Sequence, residues 1–263
     1  MITRLLAVLA ALWIATPAQA AEFSMSRMGD LDVIHLKGPM VASDVEEFKR
    51  VTRGLDGAIV TLESGGGSLL AGIKIGRIIR ERGYATKIDR GTICSSACAF
   101  AFLGGRSAHL YRESRLGFHA VYIKNGDRPE ITSAGNALVG AYLKELGLSD
   151  EAIMYVTSAA PESMNWIDQD LSRRLGLGID FVDRERHWRY AKGYFFVGPN
   201  INGKTIVIQK VSDCRMMCEI TSNCVAFSVH LGANQCFLKR DIEKVVPNEF
   251  FSSARYAETP VPN

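Results

Sequence analysis

A buried strand, a glycine turn and a helix follow one another between residues 58 and 82, and this order constrains the fold most. Ala58–Leu62 is apolar and rich in β-branched residues, which is typical of a parallel strand covered on both faces. Gly65–Gly67 interrupt the run, and apolar residues then recur at helical spacing until Gly83. Further strands and helices alternate up to residue 182, so the sequence predicts an α/β fold with layers of parallel strands.

The first twenty residues have the pattern of a secretory signal peptide. Arg4 precedes an apolar run over 5–14, and Ala18-Gln19-Ala20 provides small residues at a cleavage site. A membrane anchor is the alternative, but this apolar run is shorter than the ~20 residues that a spanning helix needs. We expect residues 1–20 to be removed, no membrane span to remain, and the mature protein to be periplasmic or secreted.

Charge and motif content argue against several ligand classes. The chain has 31 basic and 28 acidic side chains and no run of lysine or arginine, so we expect no nucleic-acid partner. The glycine turn lacks the Lys-Ser/Thr of a phosphate-binding loop and the spacing of a dinucleotide-binding fingerprint. We therefore expect no cofactor.

Four cysteines lie close together in the C-terminal part of the chain: Cys214, Cys218, Cys224 and Cys236. Zinc ligation is the alternative to disulfides, but it favours tight C-x2-C pairs, and no histidine lies at ligand spacing beside them. In an exported chain we expect disulfides and no metal site. A module this small needs such covalent support because its hydrophobic core is limited.

The pattern of the sequence divides the chain into two domains. We expect an α/β domain over 21–183, a charged and aromatic linker over 184–193, a small disulfide-stabilised α+β domain over 194–258, and a tail over 259–263. The first domain alternates strand and helix runs, whereas the second has short β-prone runs on either side of the cysteines.

Three polar features follow strands of the α/β domain. The glycine turn exposes backbone N–H groups that suit an oxyanion, although such turns are often only structural. Ser96 opens a helix after a predicted strand, where its hydroxyl can be an exposed nucleophile, or where it or Ser95 can be a simple N-cap. His119 ends another short strand, where it can be the base that a serine needs or a structural side chain.

Together these segments resemble the Clp protease proteolytic subunit and its crotonase-fold relatives over most of the α/β domain. Ser-Gly-Gly-Gly, Ser-Ser-Ala-Cys-Ala-Phe and Gly-Phe-His-Ala occur in the order of that family's oxyanion, nucleophile and base segments. The resemblance implies a fold of layered parallel sheets with helices, Ser96 as the nucleophile and His119 as the base. It also implies that N–H groups of Gly66, Gly67 and Ala97 bind the oxyanion.

The sequence departs from that family at the third member of a catalytic triad. The position of the family's aspartate is occupied by Met164, which cannot orient a histidine. Glu162 and Asn165 are neighbouring side chains that could orient His119, whereas Asp168 is more distant and is predicted to cap the next helix. A Ser-His dyad and an inactive descendant remain as alternatives.

Cys94 and Cys98 flank the serine of the predicted nucleophile segment. Residues at i and i+4 can lie within disulfide reach, although two buried small apolar side chains would also fit the pattern. The expected export favours a Cys94–Cys98 bridge.

The C-terminal cysteine module resembles a PAN/Apple domain over about residues 194–257. The cysteine spacing agrees, as do a Cys-x-Ala-Phe strand and a Cys-x-Leu-Lys strand. The resemblance implies the nested bonds Cys214–Cys236 and Cys218–Cys224. It also implies a protein or carbohydrate ligand and no catalysis, and an accessory domain without a ligand is the alternative.

The sequence therefore predicts an exported serine hydrolase, most simply a peptidase that acts on peptide or protein substrates. The PAN/Apple-like domain would tether it to a protein or carbohydrate partner, and a homo-oligomer is compatible with the resemblance. The alternative is a catalytically inactive scaffold that binds protein or carbohydrate in the cell envelope.

Overall fold

The computed structural model describes residues 20–28, 31–111, 113–126, 128–182, 188–201, 203, 206–221 and 223–256. Nearly all of the predicted signal peptide, the first part of the predicted linker and the predicted tail over 259–263 lie outside the described residues.

The α/β domain contains both elements of the strand-turn-helix unit predicted over 58–82. Its elements are β1 (Glu22–Met28), β2 (Leu31–Lys37), α1 (Asp44–Val51), β3 (Ala58–Glu63), α2 (Leu69–Glu81), β4 (Ala85–Ile88), β5 (Ile93–Ser95), α3 (Ala97–Leu103), β6 (Ala108–Tyr111), β7 (Arg115–Phe118), β8 (Tyr122–Asn125), β9 (Arg128–Ile131), α4 (Ser133–Glu145), α5 (Asp150–Val156), β10 (Asn165–Trp166), α6 (Gln169–Leu175) and β11 (Ile179–Val182).

The main sheet of this domain has six strands in the order β1-β2-β3-β4-β6-β11. β1 is antiparallel to β2, and all other neighbours in the sheet are parallel. A second sheet, β10-β7-β5, begins where β3 ends, because Ser64 forms an isolated parallel bridge with Cys94. The predicted α/β fold with layered parallel strands is confirmed, and the second sheet brings the ends of β5 and β7 beside the glycine turn.

One face of the main sheet packs against the helices of the α/β domain. Ile34 and Leu36 of β2, and Val60 and Leu62 of β3, are fully buried in this core together with apolar residues of all six helices. These strand residues alternate, so the intervening side chains of the same strands project from the outer face of the sheet.

The C-terminal domain is a five-stranded antiparallel sheet with one helix on a face. Its elements are β12 (Trp188–Val197), β13 (Ile206–Val207), α7 (Val211–Ile220), β14 (Ala226–His230), β15 (Gln235–Lys239) and β16 (Lys244–Tyr256), with the strands in the order β12-β16-β14-β15-β13. The linker prediction over 184–193 is wrong in its second half, because β12 begins at Trp188 and pairs with β16. A charged and aromatic run is also what an edge strand looks like, and β12 lies at the edge of its sheet.

Two disulfides connect α7 with the segments that pair beside it. Cys214 of α7 is bonded to Cys236 of β15, with their Cα atoms 5.6 Å apart. Cys218 of α7 is bonded to Cys224, which precedes β14, with their Cα atoms 5.2 Å apart. These are the two bonds that the PAN/Apple resemblance implies, and they leave none of the four sulfurs available as a zinc ligand.

The C-terminal domain lies directly against the outer face of the main sheet. Met28, Val33 and Ile59 project from that face and share a buried core with α7 and the two disulfides. At the edge of this contact, Tyr111 OH donates to a carboxylate oxygen of Glu219 at 3.4 Å. The two predicted domains therefore share an apolar interface.

No helix among the described residues is both long and apolar enough to cross a membrane. Three disulfides are present, and such bonds are typical of proteins in an oxidising, extracytoplasmic compartment.

Candidate active site

Ser96 lies at the turn between β5 and α3 in a conformation that L-residues rarely adopt. Its φ is 56° and its ψ is −126°. Its N–H donates to Gly117 O at 3.0 Å, which anchors the turn to β7. The Ser96 hydroxyl caps no helix, and the neighbouring Ser95 Oγ donates to Gly65 O at 3.3 Å. The Ser96 hydroxyl therefore does not cap α3, which was the alternative to its role as a nucleophile.

The glycine turn passes directly beside this serine. An ideal Cβ on Gly66 would lie 2.6 Å from Ser96 Cβ and 3.0 Å from Ala97 N, and the φ of Gly66 is +102°. Both the close approach and the backbone conformation require glycine at this position. Gly65, in contrast, has no atom within 4 Å of its ideal Cβ. The structure thus brings Gly66, Ser96 and Ala97 together, as the resemblance implies.

The backbone donors near Ser96 differ in availability. Gly66 N–H donates to Ser64 Oγ at 3.0 Å, so this hydrogen already has a partner, and the oxyanion role of Gly66 stays a prediction. The N–H groups of Gly67 and Ala97 have no hydrogen-bond partner within the part of the chain that the structure describes. Of the three residues predicted for the oxyanion, these two have a free donor.

His119 follows β7, whose neighbour β5 leads into Ser96. The two strands are parallel, and Ser95 pairs with Gly117, so Ser96 and His119 leave the sheet at the same edge. The Nδ1 atom of His119 lies 2.7 Å from Ala120 O. Since a carbonyl oxygen only accepts, Nδ1 carries the proton of the neutral ring and Nε2 has the free lone pair. No hydrogen bond joins His119 to Ser96 in the described parts of the chain.

The residue opposite His119 is Met164. β10 is antiparallel to β7, with Asn165 opposite Phe118 and Trp166 opposite Gly117, so continuing the register by one residue pairs Met164 with His119. The Met164 side chain packs over Gly117, since its Cγ lies 2.5 Å from an ideal Cβ on that glycine, and the ring beside His119 is Tyr122, with centroids 5.4 Å apart. A thioether at position 164 cannot stabilise an imidazolium as a carboxylate does.

Neither of the two side chains predicted to orient His119 forms a hydrogen bond with it in the described structure. Asn165 Nδ2 donates to Tyr155 O at 2.7 Å and to Ser158 Oγ at 3.0 Å. Glu162 lies in an exposed turn and forms no hydrogen bond with His119 in the described structure. The structure does not bring Glu162 or Asn165 into a hydrogen bond with His119 within its described residues, and a triad through either of them stays a prediction.

Asp168 has the role predicted for it. Its carboxylate accepts a hydrogen bond from Leu171 N at 2.8 Å and caps α6. A side chain used in this way belongs to the helix terminus and not to the histidine.

Helix α3, which follows Ser96, is held tightly against its neighbours. An ideal Cβ on Gly72 of α2 would lie 2.2 Å from Ala97 O, so glycine allows the two helices to touch. Tyr142 OH of α4 donates to Phe100 O at 3.0 Å. Burial raises the pKa of Tyr142 far above its ordinary value, so the hydroxyl remains a donor at any physiological pH.

Cys94 and Cys98 are joined by a disulfide across the Ser96 turn. Their Cα atoms are 5.3 Å apart, and both side chains are fully buried. Cys94 is in β5 and Cys98 is in the first turn of α3, so the bond connects the two elements that meet at Ser96.

An open cleft of about 660 Å³ borders the glycine turn. Much of its lining is backbone of glycine-rich segments, and its charged residues are Lys37 and Glu63, which form an ion pair at 3.0 Å. Ser96 is not in the lining, but Gly66, which contacts Ser96, is. The cleft therefore adjoins the glycine turn, whereas Ser96 and His119 are not part of its lining.

Two groups of the site were missed by reasoning from the sequence. The carbonyl of Ala120 sets the tautomer of His119, and the hydroxyl of Ser64 occupies the N–H of Gly66. A backbone carbonyl carries no sequence signal. The Ser64 hydroxyl accepts from the N–H two residues further on, which is the pattern of an ST-turn, so the sequence could have predicted this contact.

Comparisons with known proteins give matches among solved structures alone. No protein-family model matches this sequence, and no curated protein matches it. A serine-to-alanine mutant of the 1510-N membrane-bound stomatin-specific protease is similar with 17% identity and a TM-score of 0.45, over 56% of this chain and 76% of that chain. A lysine-to-alanine mutant of the same protease, in complex with a substrate peptide, is similar with 16% identity and a TM-score of 0.45, over 56% and 72% of the two chains.

A third similar structure is an asparagine-to-aspartate mutant of ClpP1 from Listeria monocytogenes. It has 14% identity and a TM-score of 0.45, over 58% of this chain and 92% of that chain. Similarity at this level assigns neither an activity nor a substrate to this chain.

Proposed function

We propose that this chain is an exported serine hydrolase that cleaves peptide bonds, with Ser96 as the nucleophile and His119 as the base. The observation that carries the proposal is the positive φ of Ser96 at a strand-to-helix turn, with a hydroxyl that caps nothing. Such a backbone costs about 1–3 kcal/mol and is typical of sites where a nucleophile must stand clear of the sheet.

The reaction follows from the groups around this turn. Ser96 Oγ attacks the substrate carbonyl, and Nε2 of His119 takes the hydroxyl proton and later donates it to the leaving amine. The N–H groups of Gly67 and Ala97 would bind the oxyanion of the tetrahedral intermediate. Each such donor contributes about 2.7–4 kcal/mol to the stability of the transition state.

The base of this site is a histidine held by a backbone carbonyl. Ala120 O fixes the Nδ1–H tautomer, so Nε2 is the atom that can accept a proton. A neutral carbonyl stabilises the imidazolium less than a carboxylate does, because it bears only a partial charge. We therefore propose a Ser-His dyad with a modest rate.

Substrate class and location complete the proposal. We propose a peptide or protein substrate, and the open cleft beside Gly66 is the space near the glycine turn that it would enter. The three disulfides, together with the N-terminal pattern, support a periplasmic or secreted protein. A PAN/Apple-like C-terminal domain that binds a protein or carbohydrate partner remains part of the proposal.

A fluorophosphonate probe tests the nucleophile. We expect stoichiometric labelling of the wild type and none of Ser96→Ala, because only a nucleophilic serine next to a base reacts with the probe. Ser95→Ala is the matched control: it removes the adjacent hydroxyl and one long hydrogen bond, so its labelling should persist. Labelling lost in Ser95→Ala and kept in Ser96→Ala would contradict the assignment.

A carboxylate in place of Met164 should increase the labelling rate. Met164→Asp would put a negative charge opposite His119 and stabilise the imidazolium, so we expect the rate to rise roughly tenfold. Met164→Asn is the matched control, with the same shape and no charge. Equal rates for the Asp and Asn variants would mean that the register does not bring residue 164 to the base.

The second candidate function is that of a catalytically inactive scaffold. It is favoured by Met164 opposite His119 and by the lack of a Ser96–His119 hydrogen bond in the described structure. The chain would then bind protein or carbohydrate without chemistry. A folded wild-type protein that the probe does not label, while a known serine hydrolase is labelled in parallel, would support this function.

A further inference from the structure

The strained backbone at Ser96 needs something to maintain it. A non-glycine residue at φ 56° and ψ −126° is stable only where its surroundings over-determine it. If the turn relaxes, Ser96 Oγ moves relative to Gly67, Ala97 and His119, and the groups no longer act on one carbonyl.

Most noncovalent contacts near Ser96 hold either the strand or the helix that meets there. On the strand side, β5 pairs with β7, and the backbone of Cys94 forms a parallel β-bridge with that of Ser64. On the helix side, α3 packs on α2 at Gly72 and receives the hydrogen bond of Tyr142. Ser96 itself makes two backbone hydrogen bonds: its N–H donates to Gly117 O of β7, and its carbonyl accepts from Ala99 N of α3, each at 3.0 Å.

The Cys94–Cys98 disulfide is the covalent link across the turn. It joins the residue two before Ser96 to the residue two after it, and so closes a short ring in which Ser96 is the central residue. A ring this small restricts the backbone angles of every residue inside it, because its ends stay at a fixed separation of 5.3 Å between Cα atoms.

We propose that the Cys94–Cys98 disulfide positions Ser96 for attack. The inference rests on the proposed function, because it assigns a means of holding the same nucleophile. The two cysteines are positioning residues: their sulfurs touch no substrate, and their bond keeps the serine hydroxyl where the oxyanion donors and His119 can act with it.

The experiment compares two disulfides of the same chain. Cys94→Ala/Cys98→Ala removes the bond at the turn, and Cys218→Ala/Cys224→Ala removes a buried bond of similar span in the C-terminal domain. Neither variant leaves an unpaired thiol. For each, the maximal rate of fluorophosphonate labelling, the probe concentration at half that rate, and the melting temperature are measured.

We expect the melting temperature to fall by a similar amount in the two variants, since both disulfides close short loops. The maximal labelling rate should fall about 10- to 100-fold in Cys94→Ala/Cys98→Ala alone. The half-saturating probe concentration should stay within about twofold of the wild type in both, because the cleft is unchanged. If the Cys94–Cys98 disulfide only stabilised the fold, its removal would lower the melting temperature without a specific loss of labelling rate.

Three results would overturn the inference. One is a maximal rate within about twofold of the wild type in Cys94→Ala/Cys98→Ala, and another is an equal loss in both variants. The third is a wild type that the probe does not label, which removes the proposed function as well. Should Cys94→Ala/Cys98→Ala unfold at the assay temperature, Cys94→Ala/Cys98→Val, which refills part of the sulfur volume, takes its place under the same criteria.

Discussion

Replacement of His119 by alanine should lower the fluorophosphonate labelling rate by about 100- to 10,000-fold. A neutral serine hydroxyl is a weak nucleophile, and His119 is the base that leaves the sheet beside it. The fold should survive, because the half-buried imidazole loses one hydrogen bond to Ala120 O, worth about 1 kcal/mol, and one ring contact with Tyr122. Free imidazole in the buffer should restore part of the rate, since it can occupy the vacated space.

His35→Ala is the control for this measurement. His35 projects from the outer face of the main sheet, where it contacts Ser26 Oγ at 2.8 Å and Thr61 Oγ1 at 2.7 Å. We expect its loss to affect stability slightly and labelling not at all. Unchanged labelling in a folded His119→Ala variant would remove His119 from the mechanism and leave Ser96 without a base.

Replacement of Gly66 by alanine should also abolish most labelling, by at least about 100-fold. The added methyl group would lie 2.6 Å from Ser96 Cβ and 2.9 Å from Ser95 O, so the serine, the turn or both must move. The φ of +102° adds backbone strain of about 1–3 kcal/mol, which should appear as a lower melting temperature.

Gly65→Ala is the matched control, one residue away in the same turn. Its ideal Cβ meets nothing within 4 Å, and its φ is outside the left-handed region. We expect unchanged labelling and a stability equal to the wild type or higher by about 0.4–1 kcal/mol, through a less flexible unfolded chain. If Gly65→Ala and Gly66→Ala labelled at the same rate, the close approach of the glycine turn to Ser96 would be irrelevant to the reaction.

The features that the sequence predicted correctly are encoded in short stretches of chain. The strand-turn-helix unit around Gly65–Gly67 follows from apolar periodicity, and the cap formed by Asp168 on Leu171 follows from a spacing of three residues. Both depend on contacts within one or two turns of the chain, which leave a regular pattern in the residues themselves.

The features that only the tertiary structure decided depend on partners far apart in the sequence. The register of β10 on β7 pairs Asn165 with Phe118, and its continuation by one residue would pair Met164 with His119. β12 is a strand because the distant β16 pairs with it, whereas its charged and aromatic residues alone indicate a linker.

The same distinction applies to the outer face of the main sheet and to the base. Met28, Val33 and Ile59 give a pattern of apolar side chains facing outwards, but the sequence does not name α7 as the element that covers them. The proton position on His119 is set by the Ala120 carbonyl, and a carbonyl is identical in every residue. Local periodicity thus determines which elements form, whereas strand register, domain packing and backbone contacts, which depend on the whole fold, determine which groups meet at the site.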